Sequence, residues 1–232
     1  MASPLDNPTW TSLTGPHARF AQRHGRVLRY QPDVATFVAL PDRPDDSTWS
    51  DLAALAGPGT TVPITTPHPP PADWEVVERF DVVQLVDAGV RSADEPEAVR
   101  LGPADVPEML DLVERTRPGP FLPRTVELGT YLGLRRDGAL IAMAGERLHP
   151  PGWTEISAVC TDPAHQGRGL GTRLVRAVTA GIRARGEQAF MHAAASNTTA
   201  IRLYESLGFR LRMELVIALL RVPADTAAAV RA

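Results

Sequence analysis

The sequence predicts an α+β protein in which strands and helices follow one another along most of the chain. From residue 99 onwards, short segments with strand character alternate with segments whose apolar residues recur every three or four positions, as in helices. A glycine-rich loop joins one of these strands to the helix after it. Of the 232 residues, 44% are hydrophobic and 22% are charged, which is typical of a globular protein with a substantial core.

Residues 1–92 are predicted to form a smaller N-terminal α/β domain. Strand-like segments lie at residues 27–30, 34–40, 60–66 and 74–86. A helix is expected to be capped at Asp46-Ser47 and to end at Gly57-Pro58-Gly59. The polar, acidic segment 91–97 is the expected boundary, so residues 93–232 form the second domain.

The C-terminal domain is predicted to run strand, helix, hairpin, strand, helix, strand, helix, strand. Its first strand is 99–101, and the helix over 105–115 carries an apolar stripe. Asp137-Gly138 between two strand-like segments is a good signal for a hairpin turn. Residues 210–222 supply the last strand.

The stretch from Thr154 to Leu174, TEISAVCTDPAHQGRGLGTRL, carries the strongest functional signal. It is predicted to form a strand, a loop in which every second residue is glycine, and the start of a helix. Glycines let a ligand approach the backbone, and a helix N-terminus favours negative charge, so the stretch predicts a phosphate-binding site. A Walker loop is excluded because the chain contains no lysine, and the glycine spacing does not match a dinucleotide fingerprint.

A second motif follows the next predicted strand, Gln188 to Ala194. It reads SNTTAIRLYESLGF from Ser196 to Phe209, with an Asn opening a short helix and Gly-Phe closing it. Seven residues at 3.6 per turn place Asn197 and Tyr204 on one face of that helix, roughly 10 Å apart along its axis.

Both motifs resemble those of the GNAT superfamily of N-acetyltransferases, over roughly residues 99–222. Gln166-Gly167-Arg168-Gly169-Leu170-Gly171 resembles its acyl-CoA loop, and Asn197 to Phe209 resembles its second motif. The resemblance implies a GNAT fold, with a central twisted mixed β-sheet flanked by helices. Within the superfamily, the chain resembles the glycine N-acyltransferase-like branch, which has an extra N-terminal domain. Residues 1–92 are therefore expected to form a degenerate copy of the GNAT fold.

The resemblance also implies that acetyl-CoA is the co-substrate. The loop and the helix start would hold its pyrophosphate, while the strand before the loop would splay from its neighbour and offer its backbone to the pantetheine arm. Asn197 is expected both to contact the co-substrate and to cap its helix. The implied binding residues are Val159, Cys160, Thr161, Gln166, Gly167, Arg168, Gly169, Leu170, Gly171, Thr172 and Asn197.

Three residues are candidates for proton transfer. Tyr204 is the candidate general acid toward the leaving thiolate, the alternative being a buried, satisfied tyrosine. Glu155 matches the position of the base in the histone-acetyltransferase branch, the alternative being a surface glutamate. His192 lies where ribosomal-protein acetyltransferases carry a glutamate, so it is a candidate relay or a packed side chain. Direct transfer is expected, without a covalent intermediate on Cys160.

The expected reaction is acetylation of a primary amine of a small molecule, with one acetyl-CoA bound per chain. A protein N-terminus or lysine is the alternative acceptor, and a non-catalytic acyl-CoA-binding module is the rival class. Phe121 and Leu122 are expected to form one wall of the acceptor site and the N-terminal domain another. That domain's alternative roles are to stabilise the fold or to make a homodimer.

Composition limits the remaining classes. The net charge of −3 argues against a nucleic-acid partner. The sequence has no leader-like start and no run of the roughly 18 apolar residues that a membrane span needs, so the cytoplasm is expected. A single cysteine excludes an internal disulfide, and six scattered histidines without paired spacing predict no metal site.

Overall fold

The computed structural model describes residues 3–224. The N-terminal part contains α1 (Pro8–Leu13), β1 (Ala21–His24), β2 (Val27–Tyr30), β3 (Val38–Ala39), α2 (Asp46–Ala56), β4 (Thr61–Ile64) and β5 (Glu75–Asp87). The C-terminal part contains β6 (Val99–Leu101), α3 (Val106–Thr116), β7 (Tyr131–Arg136), β8 (Ala139–Glu146), β9 (Trp153–Thr161), α4 (Leu170–Ala184), β10 (Gln188–Ala194), α5 (Thr198–Leu207) and β11 (Phe209–Arg221). The predicted α+β class and the predicted element order after residue 99 are confirmed.

Local sequence signals explain where several elements begin and end. Asp45 caps α2, because its carboxylate accepts a hydrogen bond of 3.0 Å from the Thr48 N–H, one residue before the predicted cap. The β7–β8 turn has positive φ at Asp137 (51°) and Gly138 (85°), as a two-residue hairpin of this type requires. The strand predicted over 34–40 is reduced to β3, so most of that segment is irregular.

Within the described residues, eight strands form one sheet in the order β4-β11-β5-β10-β9-β8-β7-β6, and β1, β2 and β3 form a small second sheet. β9 and β10 are parallel, while β5 is antiparallel to both of its neighbours, β10 and β11. The large sheet therefore crosses the boundary expected near residue 92. Two strands of the predicted N-terminal domain, β4 and β5, are hydrogen-bonded to strands of the predicted C-terminal one.

The position of β5 explains its burial. The alternation of Phe80, Val82 and Val86 predicts a strand buried on one face, but all four residues from Val82 to Leu85 are buried. Val83 and Leu85 pack into the core under α4 and α5. Val86 packs on the other face, against a cluster that includes Leu5, Leu13 and Phe20 of residues 3–20, which we call the N-terminal segment. The second half of β5 is therefore a central strand with both faces covered.

Candidate active site

The site begins where β9 and β10 separate. The two parallel strands pair from Gln188 opposite Trp153 to Phe190 opposite Glu155, and their pairing ends there. β10 continues to Ala194 along β5, and β9 continues to Thr161 along β8. The resulting opening, which we call the fork, exposes one backbone edge of each strand. This geometry matches the splay that the resemblance implies for a pantetheine arm.

β9 is also distorted beside the fork. Its register with β8 shifts between Met143 and Gly145, and Ala158 has a φ of +52°, which is unusual for a residue with a side chain. A bulge of this kind bends a strand and re-aims its backbone groups, and such bulges are common next to active sites. The sequence contains no glycine here that would have predicted it.

The glycine loop leads directly from β9 into α4. Gly167 and Gly169 have φ values of 75° and 73°, a conformation that favours glycine, and Gly169 is the N-cap of α4. Within residues 3–224, none of the backbone N–H groups from Gly167 to Thr172 donates to another backbone group. A row of free N–H groups at a helix N-terminus is suited to a phosphate or pyrophosphate group.

The polar side chains around this loop differ in whether other protein groups already bind them. Arg168 is exposed at its tip, and Gln166 is exposed while its side-chain amide donates to the Thr161 carbonyl over 3.4 Å. Arg173 forms a bidentate ion pair with Glu95 at 2.6 and 2.7 Å and also contacts Glu97. Its charge is thus already neutralised by carboxylates, which favours Arg168 over Arg173 as a phosphate partner.

The second motif places Asn197 and Tyr204 on α5. The Asn197 side chain accepts a hydrogen bond of 3.1 Å from the Ala200 N–H, so its capping role is confirmed. Tyr204 is 8% exposed, and burial raises the pKa of its hydroxyl to about 12, with a further contribution from the Cys160 thiol on β9. The raised pKa keeps the phenol a hydrogen-bond donor at neutral pH.

Glu155 lies at the start of the fork and is fully buried. Arg147, just after β8, donates to both of its carboxylate oxygens at 2.8 Å, and the Leu148 N–H donates to one of them at 3.2 Å. Burial alone would raise the pKa of Glu155, but the charge and hydrogen bonds of Arg147, with a hydrogen bond from His192, hold it well below its usual range. A carboxylate held in this way is a weak base.

His192 lies two residues beyond Phe190, the last residue of β10 that pairs with β9. Its Nδ1 is 2.7 Å from Glu155 Oε1, and its Nε2 is 3.1 Å from the side-chain nitrogen of Gln84 on β5. The Glu155–His192 contact therefore connects β9 to β10 where their backbone pairing has ended. The structure brings two of the three predicted proton-transfer residues together here, while Tyr204 belongs to the core under α4 and α5.

A cavity of about 640 Å³ opens next to His192 and Arg147. The N-terminal segment supplies one wall, β11 another, and the segments around Phe37 and Thr66 the rest. Its polar lining includes the carboxylates of Asp6, Asp42 and Glu214. Predicted acceptor-wall residues lie elsewhere: Phe121 is 6% exposed and packs edge-on against Tyr131, and Leu122 is half-buried. Neither residue lines this cavity.

Other predicted features are placed as follows. Cys160 is buried in the core beneath α3, and burial raises the pKa of its thiol, so the thiol is a poor nucleophile.

In the part of the chain that the structure describes, no group of three or more His, Cys, Asp or Glu side chains could hold a metal ion. No helix between residues 3 and 224 has the length and hydrophobicity of a membrane span.

Sequence reasoning missed two residues of the fork, Arg147 and Gln84. Arg147 could have been found from hairpin register, because the Pro150-Pro151-Gly152 turn brings it opposite Glu155, with a backbone hydrogen bond of 3.0 Å between them. Gln84 has no local signal, because it reaches His192 only through the pairing of β5 with β10.

Comparisons with known proteins agree with this geometry. A family model described as FR47-like protein matches residues 131–217. A solved structure of a GNAT-family protein from Novosphingobium aromaticivorans is 42% identical, with a TM-score of 0.86, over 94% of this chain and 98% of that one.

Two curated relatives match over shorter segments. The N-alpha-acetyltransferase RimI of Mycobacterium tuberculosis is 40% identical over 83 residues, which are 34% of this chain and 51% of that protein. A mycothiol acetyltransferase of Thermomonospora curvata is 44% identical over 82 residues, 35% of this chain and 27% of that protein. The chain thus matches about half or less of the length of these curated relatives. Together, the near-complete structural match and the two motifs at the fork show that the chain belongs to the GNAT superfamily.

Proposed function

We propose that the chain is an acetyl-CoA-dependent N-acetyltransferase that moves an acetyl group directly to a primary amine. The observation that carries this proposal is the fork between β9 and β10, which lies next to the row of free N–H groups from Gly167 to Thr172. A pyrophosphate at those groups and an extended arm along β9 would direct a thioester into the fork. Acetyl-CoA supplies the activated acetyl group.

The residues around the fork would have separate roles in binding the co-substrate and in proton transfer. The backbone of Val159, Cys160 and Thr161 would bind the arm as an added strand. Tyr204 would donate its hydroxyl hydrogen to the sulfur as the carbon–sulfur bond breaks and negative charge develops there. The new bond joins the amine nitrogen to the acetyl carbon, the nitrogen loses one proton to solvent in the cavity, and solvent returns one proton to the Tyr204 oxygen.

The cavity supports a small acceptor. Its volume of about 640 Å³ lies within the range of about 300–1,000 Å³ typical of small-molecule sites. In its lining, Asp6 is paired with Arg212 and Arg147 with Glu155. The remaining carboxylates, Asp42 and Glu214, outnumber Arg79 and would attract an ammonium group before it loses its proton. The N-terminal segment closes one side of the cavity, which supports its proposed role as part of the acceptor wall.

The alternative acceptor is a protein N-terminus. It is favoured by the 40% identity over 83 residues to an N-alpha-acetyltransferase, whereas the similarity to mycothiol acetyltransferases favours a small molecule.

The test is a CoA-release assay with acetyl-CoA and a panel of amines. The panel contains amino acids, amino sugars, polyamines and short peptides with free N-termini. We expect release that depends on one class of small amine and is confirmed by mass spectrometry of the acetylated product. Turnover of the peptides alone would select the alternative acceptor. Binding of acetyl-CoA without release for any amine would instead support a non-catalytic acyl-CoA-binding module.

A further inference from the structure

The polar side chains at the fork form one continuous hydrogen-bonded chain across the sheet. It runs from Arg147 through Glu155 on β9 and His192 on β10 to Gln84 on β5. Gln84 then contacts Arg212 on β11, which in turn forms an ion pair with Asp6 in the N-terminal segment. The chain therefore connects four adjacent strands of the sheet to the wall of the acceptor cavity.

The partners of Gln84 fix the orientation of its amide. Its Oε1 accepts a hydrogen bond of 2.8 Å from the Arg212 guanidinium, and its Nε2 donates to the Leu5 carbonyl over 3.1 Å. A guanidinium can only donate and a carbonyl can only accept, so the amide cannot be reversed without losing both bonds. Gln84 is fully buried, so water does not offer replacement partners.

The orientation of the Gln84 amide then determines which ring nitrogen of His192 can carry a proton. The second N–H of the Gln84 amide points to His192 Nε2 over 3.1 Å, so Nε2 has to be the acceptor. The ring proton is left on Nδ1, where it is donated to Glu155 Oε1 over 2.7 Å. In an imidazolium, Nε2–H would face the Gln84 N–H, and two donors would oppose each other.

We infer that Gln84 holds His192 in the neutral tautomer with its proton on Nδ1, which makes His192 a positioning residue for Glu155 and the fork. The functional part of this inference rests on the proposed acetyltransferase activity. His192 is then not the base that takes the acceptor's proton, because both of its ring nitrogens are already used by the protein. Its role is to keep β9 and β10 at a fixed separation where backbone pairing has ended.

The charges that face this ring are balanced on both sides. On the β9 side, the carboxylate of Glu155 is neutralised by Arg147. On the β5 side, Arg212 beyond Gln84 is neutralised by Asp6. A proton on His192 Nε2 would leave one uncompensated positive charge in the floor of the acceptor cavity, where it would repel an incoming ammonium group.

The direct test is nitrogen NMR of the full chain labelled with ¹⁵N-histidine, with the His192 signals assigned by their loss in His192→Asn. At pH 7.5 we expect a protonated Nδ1 and an unprotonated, hydrogen-bonded Nε2. Gln84→Met removes the donor that opposes a proton on Nε2, while Glu155 still accepts from Nδ1, so Nε2 should become protonated at a higher pH in that variant than in wild type. A protonated Nε2 in the wild-type protein at pH 7.5, or Nε2 protonation at the same pH in both proteins, would overturn the inference.

Kinetics test the positioning role with two substitutions at one site. The amide N–H of Asn can replace Nδ1–H toward Glu155, whereas Leu offers no donor. We expect His192→Asn to keep kcat within about threefold of wild type and His192→Leu to lose at least about tenfold, because misplacing reacting groups by about 1 Å costs up to about 100-fold. Equal losses in both variants, with the acid limb of the wild-type pH profile abolished, would identify His192 as a base and refute the positioning role. If the wild-type protein transfers no acetyl group at all, the proposed function fails, and NMR still decides the tautomer.

Discussion

Lowering the pH from 7.5 to 5.0 is expected to destabilise the fold through His17. This histidine is 2% exposed, and its ring packs edge-on against Phe20, Tyr30 and His149. Its Nε2 donates to the Leu128 carbonyl at 3.1 Å, and its Nδ1 accepts from the Tyr30 hydroxyl at 2.9 Å. Burial, with a smaller contribution from His149, lowers its pKa from 6.5 to about 4.

The sign and size of the effect follow from linkage. Because the folded state holds His17 neutral, the unfolded state binds more protons between pH 6.5 and 4. The stabilisation is complete above pH 6.5 and decreases as the pH falls. At about 1.4 kcal/mol per pKa unit, the free energy of unfolding should fall by about 2 kcal/mol at pH 5.0 and about 3 kcal/mol by pH 4.

Urea unfolding at pH 7.5 and 5.0 measures this loss. In His17→Gln the amide N–H can still donate to the Leu128 carbonyl, but the side chain no longer titrates. The loss between the two pH values should therefore be about 2 kcal/mol smaller in His17→Gln than in wild type. His24→Gln, at an exposed histidine of β1, is the matched control and should show the wild-type loss. Equal losses in all three proteins would refute the reasoning about His17.

Three further predictions concern the site and the sheet. Tyr204→Phe should keep the Kd for acetyl-CoA nearly constant and lower kcat about 100-fold, and wild-type turnover would show that Tyr204 only packs. Arg147→Met should lower the free energy of unfolding by about 3–5 kcal/mol, because it leaves Glu155 buried without its partner. The exposed control Arg221→Met should cost less than about 1 kcal/mol, and equal costs would contradict the buried-pair argument. Deleting residues 1–92 removes β5 from the middle of the sheet, so we expect an unfolded or insoluble product by circular dichroism and yield, whereas a folded product that binds acetyl-CoA would contradict this.

Local signals explain why the C-terminal half could be predicted from the sequence. The glycine loop, the Asn197 cap and the Asp137-Gly138 turn each depend on a few neighbouring residues, and each forms at the predicted place. The position of β5 could not be predicted in this way. Its partners in β10 and β11 lie more than a hundred residues away, and alternation within a strand does not identify the neighbours of that strand.

The same distinction applies to the site. Glu155 could be placed on its strand from the sequence, but its ion pair with Arg147 depends on the β8–β9 register. The contact of His192 with Gln84 depends on the unexpected insertion of β5. Residue spacing in the sequence therefore identified the carboxylate and the imidazole at the fork. Pairing between distant strands determined which side chains bind them.

Titration calorimetry with acetyl-CoA on wild type, Gly171→Asp and Gly181→Asp tests the central claim most directly. A Cβ added at Gly171 would meet only the Val159 side chain, at 3.7 Å, which is an ordinary contact, and an acidic residue in the first turn of a helix is compatible with folding. Gly181 is exposed on the same helix with no neighbour within 4 Å, which makes it the matched control. We predict one site per chain in wild type and Gly181→Asp, and no measurable binding in Gly171→Asp. Unchanged affinity in folded Gly171→Asp, or two sites per chain, would contradict the assignment of the glycine loop as the acetyl-CoA site.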